Sequence, residues 1–274
     1  MALPAMLRDH PGRVVTAAAG VLVVAWVALR PRDEGRPSLA PACPPGTALI
    51  PAGRFILGER NNTGRVDPFC MDVTEVTVAA YGECVKVAVC SEPNAYRQED
   101  VEDRATCNWL RPGAEQHPVN CVDWKQAAAY CVWAGKRLPT EDEWEWVARG
   151  GADNRPYPWG DETPSKDRLN ACGEECVAWA KQTTGKAWTP MYPGDDGWPN
   201  TAPVGSFPHG ATLLGVMDLA GNVREWTSSK FDARTKVVRG GGWSDFKTER
   251  ARASNRTSEA PTVRGRNLGF RCAG

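Results

Sequence analysis

From Ala152 to Ala202 the chain runs for about fifty residues in which neither a helical nor an alternating hydrophobic period can be traced. Structureless loops in compact domains rarely exceed about 12–15 residues. This stretch must therefore be held by something other than a regular ladder of main-chain bonds. Trp159, Trp179, Trp188 and Trp198 supply apolar anchors, but buried backbone N–H and C=O groups there still require partners. Bound cations are one physical answer. Calcium takes about six to eight oxygens from carboxylates, amides and main-chain carbonyls, which suits irregular chain bearing Asp and Asn.

A second restraint is covalent. All ten cysteines follow an early apolar run, an even number in the distribution expected of an oxidising compartment. "CVKVAVC" (Cys84, Cys90) and "CGEEC" (Cys172, Cys176) read as local disulfides. Zinc is the weaker reading of the second pair, because the only histidines are His10, His117 and His209. Lys and Arg number 33, as do Asp and Glu, with no block of one sign. That balance excludes the electrostatic footprint of a nucleic-acid binder.

The apolar run itself, Val14 to Leu29, is sixteen residues without a charge, flanked by Arg8, Arg13, Arg30 and Arg32. It reads as an uncleaved membrane anchor or signal, since the following "ALRPRDEGR" makes a poor cleavage site. The run is slightly short of the about 17–25 residues usual for a span, and snorkelling arginines extend its reach. Residues 1–13 would then form a cytoplasmic tail, 14–29 a transmembrane helix, 30–42 a Pro- and charge-rich tether, and 43–274 one folded domain. Membrane-anchored and extracytoplasmic, in a bacterial periplasm or at a cell surface, is the expected location.

Within the domain, "ALIPAG" and "GRFILG" predict short strands. "TEVTVAAYGECVKVA" turns helical with Thr77 as cap and Val78, Tyr81, Val85 and Ala88 on one face. "DWKQAAAYCVWAG" starts a second helix, with Asp123 and Gln126 as a capping box, Trp124, Ala128 and Cys131 as the buried stripe, and Gly135 as the stop. In "LPTEDEWEWVARGG" Thr140 caps, Glu143 reaches back, and Gly150 and Gly151 end a third. "MDLAGNVREWT" is ambiguous. As a helix it would place Asp218 and Glu225 on one face; as a loop, Gly221 and Asn222 would fold it around something polar. The bland reading of Asn170, Asp196 and Asn222 is that of turn residues bonding their own backbone.

Taken together, "HPVNCVDWKQAAAYCVWAGKRLPTEDEWEWVARGG", "YPWGD", "NTAPVGSF", "MDLAGNVREWT", "VVRGGGW" and "NLGFRC" resemble the formylglycine-generating enzyme family, also called sulfatase-modifying factors, in order from about Pro45 to Cys272. The resemblance implies an α+β, C-type-lectin-like fold with little regular secondary structure. It implies two calcium sites. One would use the side chains of Asn170 and Asp196 with the carbonyls of Ala171 and Trp198; the other would use Asp218 and Glu225 with the carbonyls of Gly221 and Val223. It further implies a disulfide between Cys131 and Cys272. The four remaining cysteines are assigned as Cys43 with Cys70 and Cys107 with Cys121, without a spacing argument.

Family enzymes are oxidases that convert a cysteine of a sulfatase peptide to formylglycine through a cysteine pair binding copper(I). Soft thiolates are the ligands that copper(I) selects. The interval where that pair lies reads "GGWSDFKTERARASNR" here, Gly241 to Arg256, and holds no cysteine. Asp245, Lys247, Glu249 and Arg250 would line it instead, so copper is not expected. A second branch, resembling sulfoxide synthases, holds iron through histidines of an added helical domain, which three histidines cannot supply; His117 reads as structural. The expectation is a membrane-anchored, catalytically silent member that binds a peptide, protein or glycan outside the cytoplasm. The alternatives are an oxidoreductase with a redesigned pocket around Asp245, Arg252, Asn255 and Arg256, and formylglycine formation itself.

Overall fold

Three side-chain caps organise the first half of the domain. In the computed structural model, which describes residues 43–58, 62–93 and 106–274, the side chain of Thr77 accepts the Ala80 N–H and opens helix α1, Val78–Lys86. Asp123 and Gln126 cap one another to open α2, Trp124–Trp133, and Thr140 with Glu143 does the same for α3, Glu141–Ala148. These reciprocal bonds satisfy N–H groups that have no partner inside the helix. The segments 1–13, 14–29 and 30–42, with His10, lie outside the described residues. Among the described residues no helix is long and apolar enough to cross a membrane.

The buried faces of two helices differ from those expected. α1 ends at Lys86, and Ala88 lies beyond it at φ 58°, exposed; the buried face is Val78, Tyr81 and Cys84, with Val85 only half-buried. The short Cys84–Cys90 disulfide turns the chain back there. On α2 the core side is Ala127, Tyr130 and Cys131, while Trp124 and Ala128 are half-buried. Trp124 sits at the margin because its indole N–H donates to the Thr227 carbonyl (2.8 Å) and Lys236 lies over its ring. Tyr130 takes the inner place, stacked on Tyr81 at 5.5 Å.

The strands form three small sheets. β1 (Thr47–Ile50) pairs antiparallel with β4 (Phe69–Asp72), and β2 (Gly53–Leu57) with β3 (Asn62–Val66). The third sheet has the order β7–β6–β5–β8, from β5 (Arg224–Lys230), β6 (Lys236–Arg239), β7 (Arg256–Glu259) and β8 (Leu268–Gly269). β5 runs parallel to β8, which brings Glu225 opposite Gly269 and close to the chain that leads to Arg271. "MDLAGNVREWT" is thus a loop running into a strand, not a helix.

The aperiodic stretch holds one helix that no period announced, α4 (Glu174–Thr184). Gly173 precedes it without a side-chain cap, and only Cys176 and Ala180 are buried, so neither a cap nor a stripe marks it. The Cys172–Cys176 disulfide pins its first turn, and Trp179 packs with Trp188 against the buried Trp243. The remaining disulfides join Cys43 to Cys70, Cys107 to Cys121, and Cys131 on α2 to Cys272 across 141 residues. The architecture is a mixed α/β fold in which irregular chain carries much of the interior.

Candidate functional site

Two polar centres lie in that irregular chain. At the first, the loop before α4 presents Asn170 and Ala171. Asn170 is 1% exposed. Its Nδ2 donates to the Asn200 carbonyl (2.8 Å) and to Asn222 Oδ1 (3.2 Å), while its Oδ1 is buried and meets no donor. An acceptor buried in this way costs about 1–3 kcal/mol. Asp196 stands nearby through Tyr192, whose hydroxyl donates to Asp196 Oδ2 (2.6 Å) and also contacts the Ala171 carbonyl (3.2 Å). Asp196 Oδ1 accepts the Trp198 N–H at 2.8 Å, which folds the turn carrying the Trp198 carbonyl. Burial, with Glu175 beside it, pushes the Asp196 carboxyl up to about 7. One oxygen each from Glu175, Asp195 and Asp196 lies within 4.8 Å of the others.

The second centre is built where "MDLAGNVREW" enters β5. Asp218 and Asn222 take the left-handed backbone at φ 59° and 55°, as does Gly221 at φ 84°. A Cβ on Gly221 would fall 2.3 Å from the Asn170 carbonyl oxygen, so this glycine is required by both backbone and space. Asp218 Oδ2 accepts the Gly205 N–H at 2.7 Å. Both oxygens of Glu225, which is fully buried, are engaged: Arg271 donates to Oε1 (2.7 Å) and Oε2 (2.8 Å), and the Trp144 indole N–H to Oε2 (2.8 Å).

Sequence reasoning missed a third carboxylate here. Glu75 is 2% exposed and accepts the Asn222 Nδ2 (2.8 Å) and the Val223 N–H (3.1 Å). Burial raises its carboxyl well above the usual range, and Asp218 and Glu225 raise it further. Asp218 is pushed up to about 6, again chiefly by burial. Ionised together, the three carboxylates would face one guanidinium, Arg271, with two negative charges unmatched. A divalent cation is one group that would supply the missing charge. No local pattern exposes Glu75, which lies more than 140 residues from its partners in "GNVRE".

These observations test whether calcium suits the residues implied for it. It does: the first centre has an unsatisfied amide oxygen on Asn170, next in sequence to the Ala171 carbonyl that Tyr192 links to Asp196, and the second has excess buried carboxylate. Copper does not suit the chain. Every one of the ten cysteines is in a disulfide, so no thiolate is free to ligate it. Asp245, in the cysteine-free interval, closes a turn by accepting the Gly242 N–H at 2.9 Å.

The residues named for a redesigned pocket each engage other groups of the fold. Asn255 Nδ2 donates to the carbonyls of Gly240 (3.2 Å) and Arg250 (3.0 Å), and Arg256 is paired with Glu141. Arg252 lines a groove of about 420 Å³ with Arg149, Asn154 and Ser254, and none of the other three reaches it. The segment is fixed from below by Arg239, fully buried, which pairs with Glu145 and donates to the carbonyls of Ala253 and Asn255. His117 is buried, bonded to Thr201 (3.1 Å) and packed on Trp198; burial and Arg111 lower its pKa to about 4. His209 is exposed in the Pro208–Gly210 turn.

Similarity to known proteins identifies the family and the fold. The model of the sulfatase-modifying factor enzyme 1-like domain matches residues 35–274. The inactive C-alpha-formylglycine-generating enzyme 2 of Bos taurus is 31% identical over 284 residues, covering 82% of this chain and 86% of the relative. The formylglycine-generating enzyme of Streptomyces coelicolor is 32% identical over 307 residues, covering 88% and 92%. Among solved structures, PvdO from Pseudomonas aeruginosa shares the fold, with a TM-score of 0.60 at 24% identity over 85% of this chain and 99% of that one.

Proposed function

The chain belongs to the sulfatase-modifying factor enzyme 1-like domain family, and from that premise we propose that it is a catalytically silent member, a calcium-stabilised binding module rather than an oxidase. The observation that carries this reading is the absence of any free thiol, with all ten cysteines in disulfides and Asp245 turned onto Gly242 where a copper-binding pair is needed. Its relative in Bos taurus is itself described as inactive. An oxidoreductase with a redesigned site would need Asp245, Arg252, Asn255 and Arg256 to converge, and their separate bonds argue against it.

Calcium would be held by Asn170, Asp196 and the carbonyls of Ala171 and Trp198 at the first centre. At the second, Asp218, Glu225 and the carbonyls of Gly221 and Val223 would hold it. When bound, the ion supplies charge neutralisation and an acceptor-rich loop with a hard partner. This chain's own residues set the shape: Tyr192 positions Asp196, and Arg271 with Trp144 orients Glu225. A lectin-like scaffold of this kind would present its irregular surface to a peptide, protein or glycan. The five disulfides favour an extracytoplasmic location, with Val14–Leu29 as the anchor.

The test is oxygen uptake after reconstitution with copper(I), using a cysteine-containing sulfatase peptide as substrate. No uptake above the peptide alone is expected, and no stoichiometric copper. Turnover with bound copper would overthrow the reading. Separately, the domain from Cys43 onward should bind saturably to a defined subset of a glycan and peptide array, with loss of binding in chelator.

A further inference from the structure

Asn222 is 2% exposed and uses its full side-chain capacity. Its Oδ1 accepts from Asn170 Nδ2 (3.2 Å) and the Ala202 N–H (3.0 Å), and its Nδ2 donates to Glu75 Oε2 (2.8 Å) and the Ala202 carbonyl (3.4 Å). Its own N–H donates to the Asn170 carbonyl at 2.7 Å. One side chain therefore touches a ligand of the first centre and the extra carboxylate of the second. Glu75 in turn fixes the Val223 N–H, within the segment whose carbonyls would face the second ion. The backbone at φ 55° would suit glycine better than asparagine. What the position holds is the side chain.

Resting on the calcium reading above, we propose that Asn222 couples the two cation sites, so that an ion at either raises the affinity of the other. An ion on Asn170 Oδ1 polarises that amide and strengthens the Nδ2 donor facing Asn222 Oδ1. The polarised Asn222 amide donates more strongly to Glu75, which lies among the carboxylates of the second centre. The same relay orders the 221–223 loop, so the second ion finds already fixed what the first has ordered. Repulsion between the two ions opposes this, but each faces its own carboxylates, which offset most of its charge. Asn222 is a positioning residue in this account; it ligates neither ion.

Calorimetric titration of the chelator-stripped, full-length protein with calcium chloride provides the test. The wild type should bind two ions with positive cooperativity. Asp196→Ala, which removes a ligand of the first site, should weaken the remaining site about 5-fold or more, and by reciprocity Asp218→Ala should weaken the first by the same factor. Asn222→Gly keeps the left-handed backbone and removes the relay. In that background Asp196→Ala should leave the other site's affinity unchanged. Two independent sites in the wild type would overturn the coupling while leaving the calcium reading intact. No calcium bound at all would overturn both. Should Asn222→Gly not fold, independent sites in the wild-type isotherm, or unchanged affinity of the remaining site in the two ligand variants, would still overturn the coupling.

Discussion

Glu225 illustrates how much of a residue's setting the sequence withholds. Its place in "GNVREW" and the family resemblance suggest a calcium ligand, but its bidentate ion pair with Arg271, 46 residues away, is invisible in the sequence. Glu225→Gln should destabilise the fold by about 3–5 kcal/mol in a urea titration, because it breaks the bidentate ion pair of a fully buried guanidinium. Gly221→Ala should be comparably damaging, since its methyl group meets the Asn170 carbonyl and its φ is 84°. His117 carries a pH signature. Its folded pKa, about 4, lies below the ordinary 6.5, so between those values the unfolded chain binds the extra proton. His117 by itself therefore makes stability fall as pH drops from about 6.5 towards 4, while the raised carboxyls of Asp196 and Asp218 contribute in the opposite sense over the same range. His117→Asn should remove the histidine contribution, read as the difference between the two proteins' denaturant midpoints across that range.

At the scale of elements, local signals were legible and tertiary ones were not. The capping boxes at Asp123 and Thr140 were readable because both partners lie three residues apart. Thr140→Ala should cost about 1 kcal/mol, detectable as a lowered urea midpoint without a change in slope. The buried stripe of α2 was misplaced because the bond from Trp124 to the Thr227 carbonyl, across more than 100 residues, holds the indole at the edge of the core. α4 went unseen for the opposite reason: it has no side-chain cap and buries little, and the Cys172–Cys176 disulfide with the Trp179–Trp243 contact holds it in place. The short loops closed by Cys84–Cys90 and Cys172–Cys176 could be read from spacing. Cys131–Cys272, spanning 141 residues, came only from resemblance.

Across the whole molecule, the mixed fold and the family were carried by strings such as "RLPTEDEWEW" and "GNVREW", not by periodicity, because so much of the interior is irregular chain. The resemblance carried by those strings implied Asn170, Asp196, Asp218 and Glu225 as the side chains of two ion sites. They gave no hint of Glu75 or of the bridging role of Asn222, both fixed by contacts distant in sequence. The central proposal is that divalent ions would complete two polar centres, one with an unpaired buried amide oxygen at Asn170 and one with three buried carboxylates. Binding to the native state only would stabilise it by about 2.7 kcal/mol at a calcium concentration 100 times the dissociation constant. Thermal unfolding with and without calcium measures this directly, after removal of bound ions by chelator. The melting temperature should rise with added calcium and saturate, and the rise should shrink in Asp196→Ala and Asp218→Ala. Superimposable melting curves in calcium and in chelator would contradict the account.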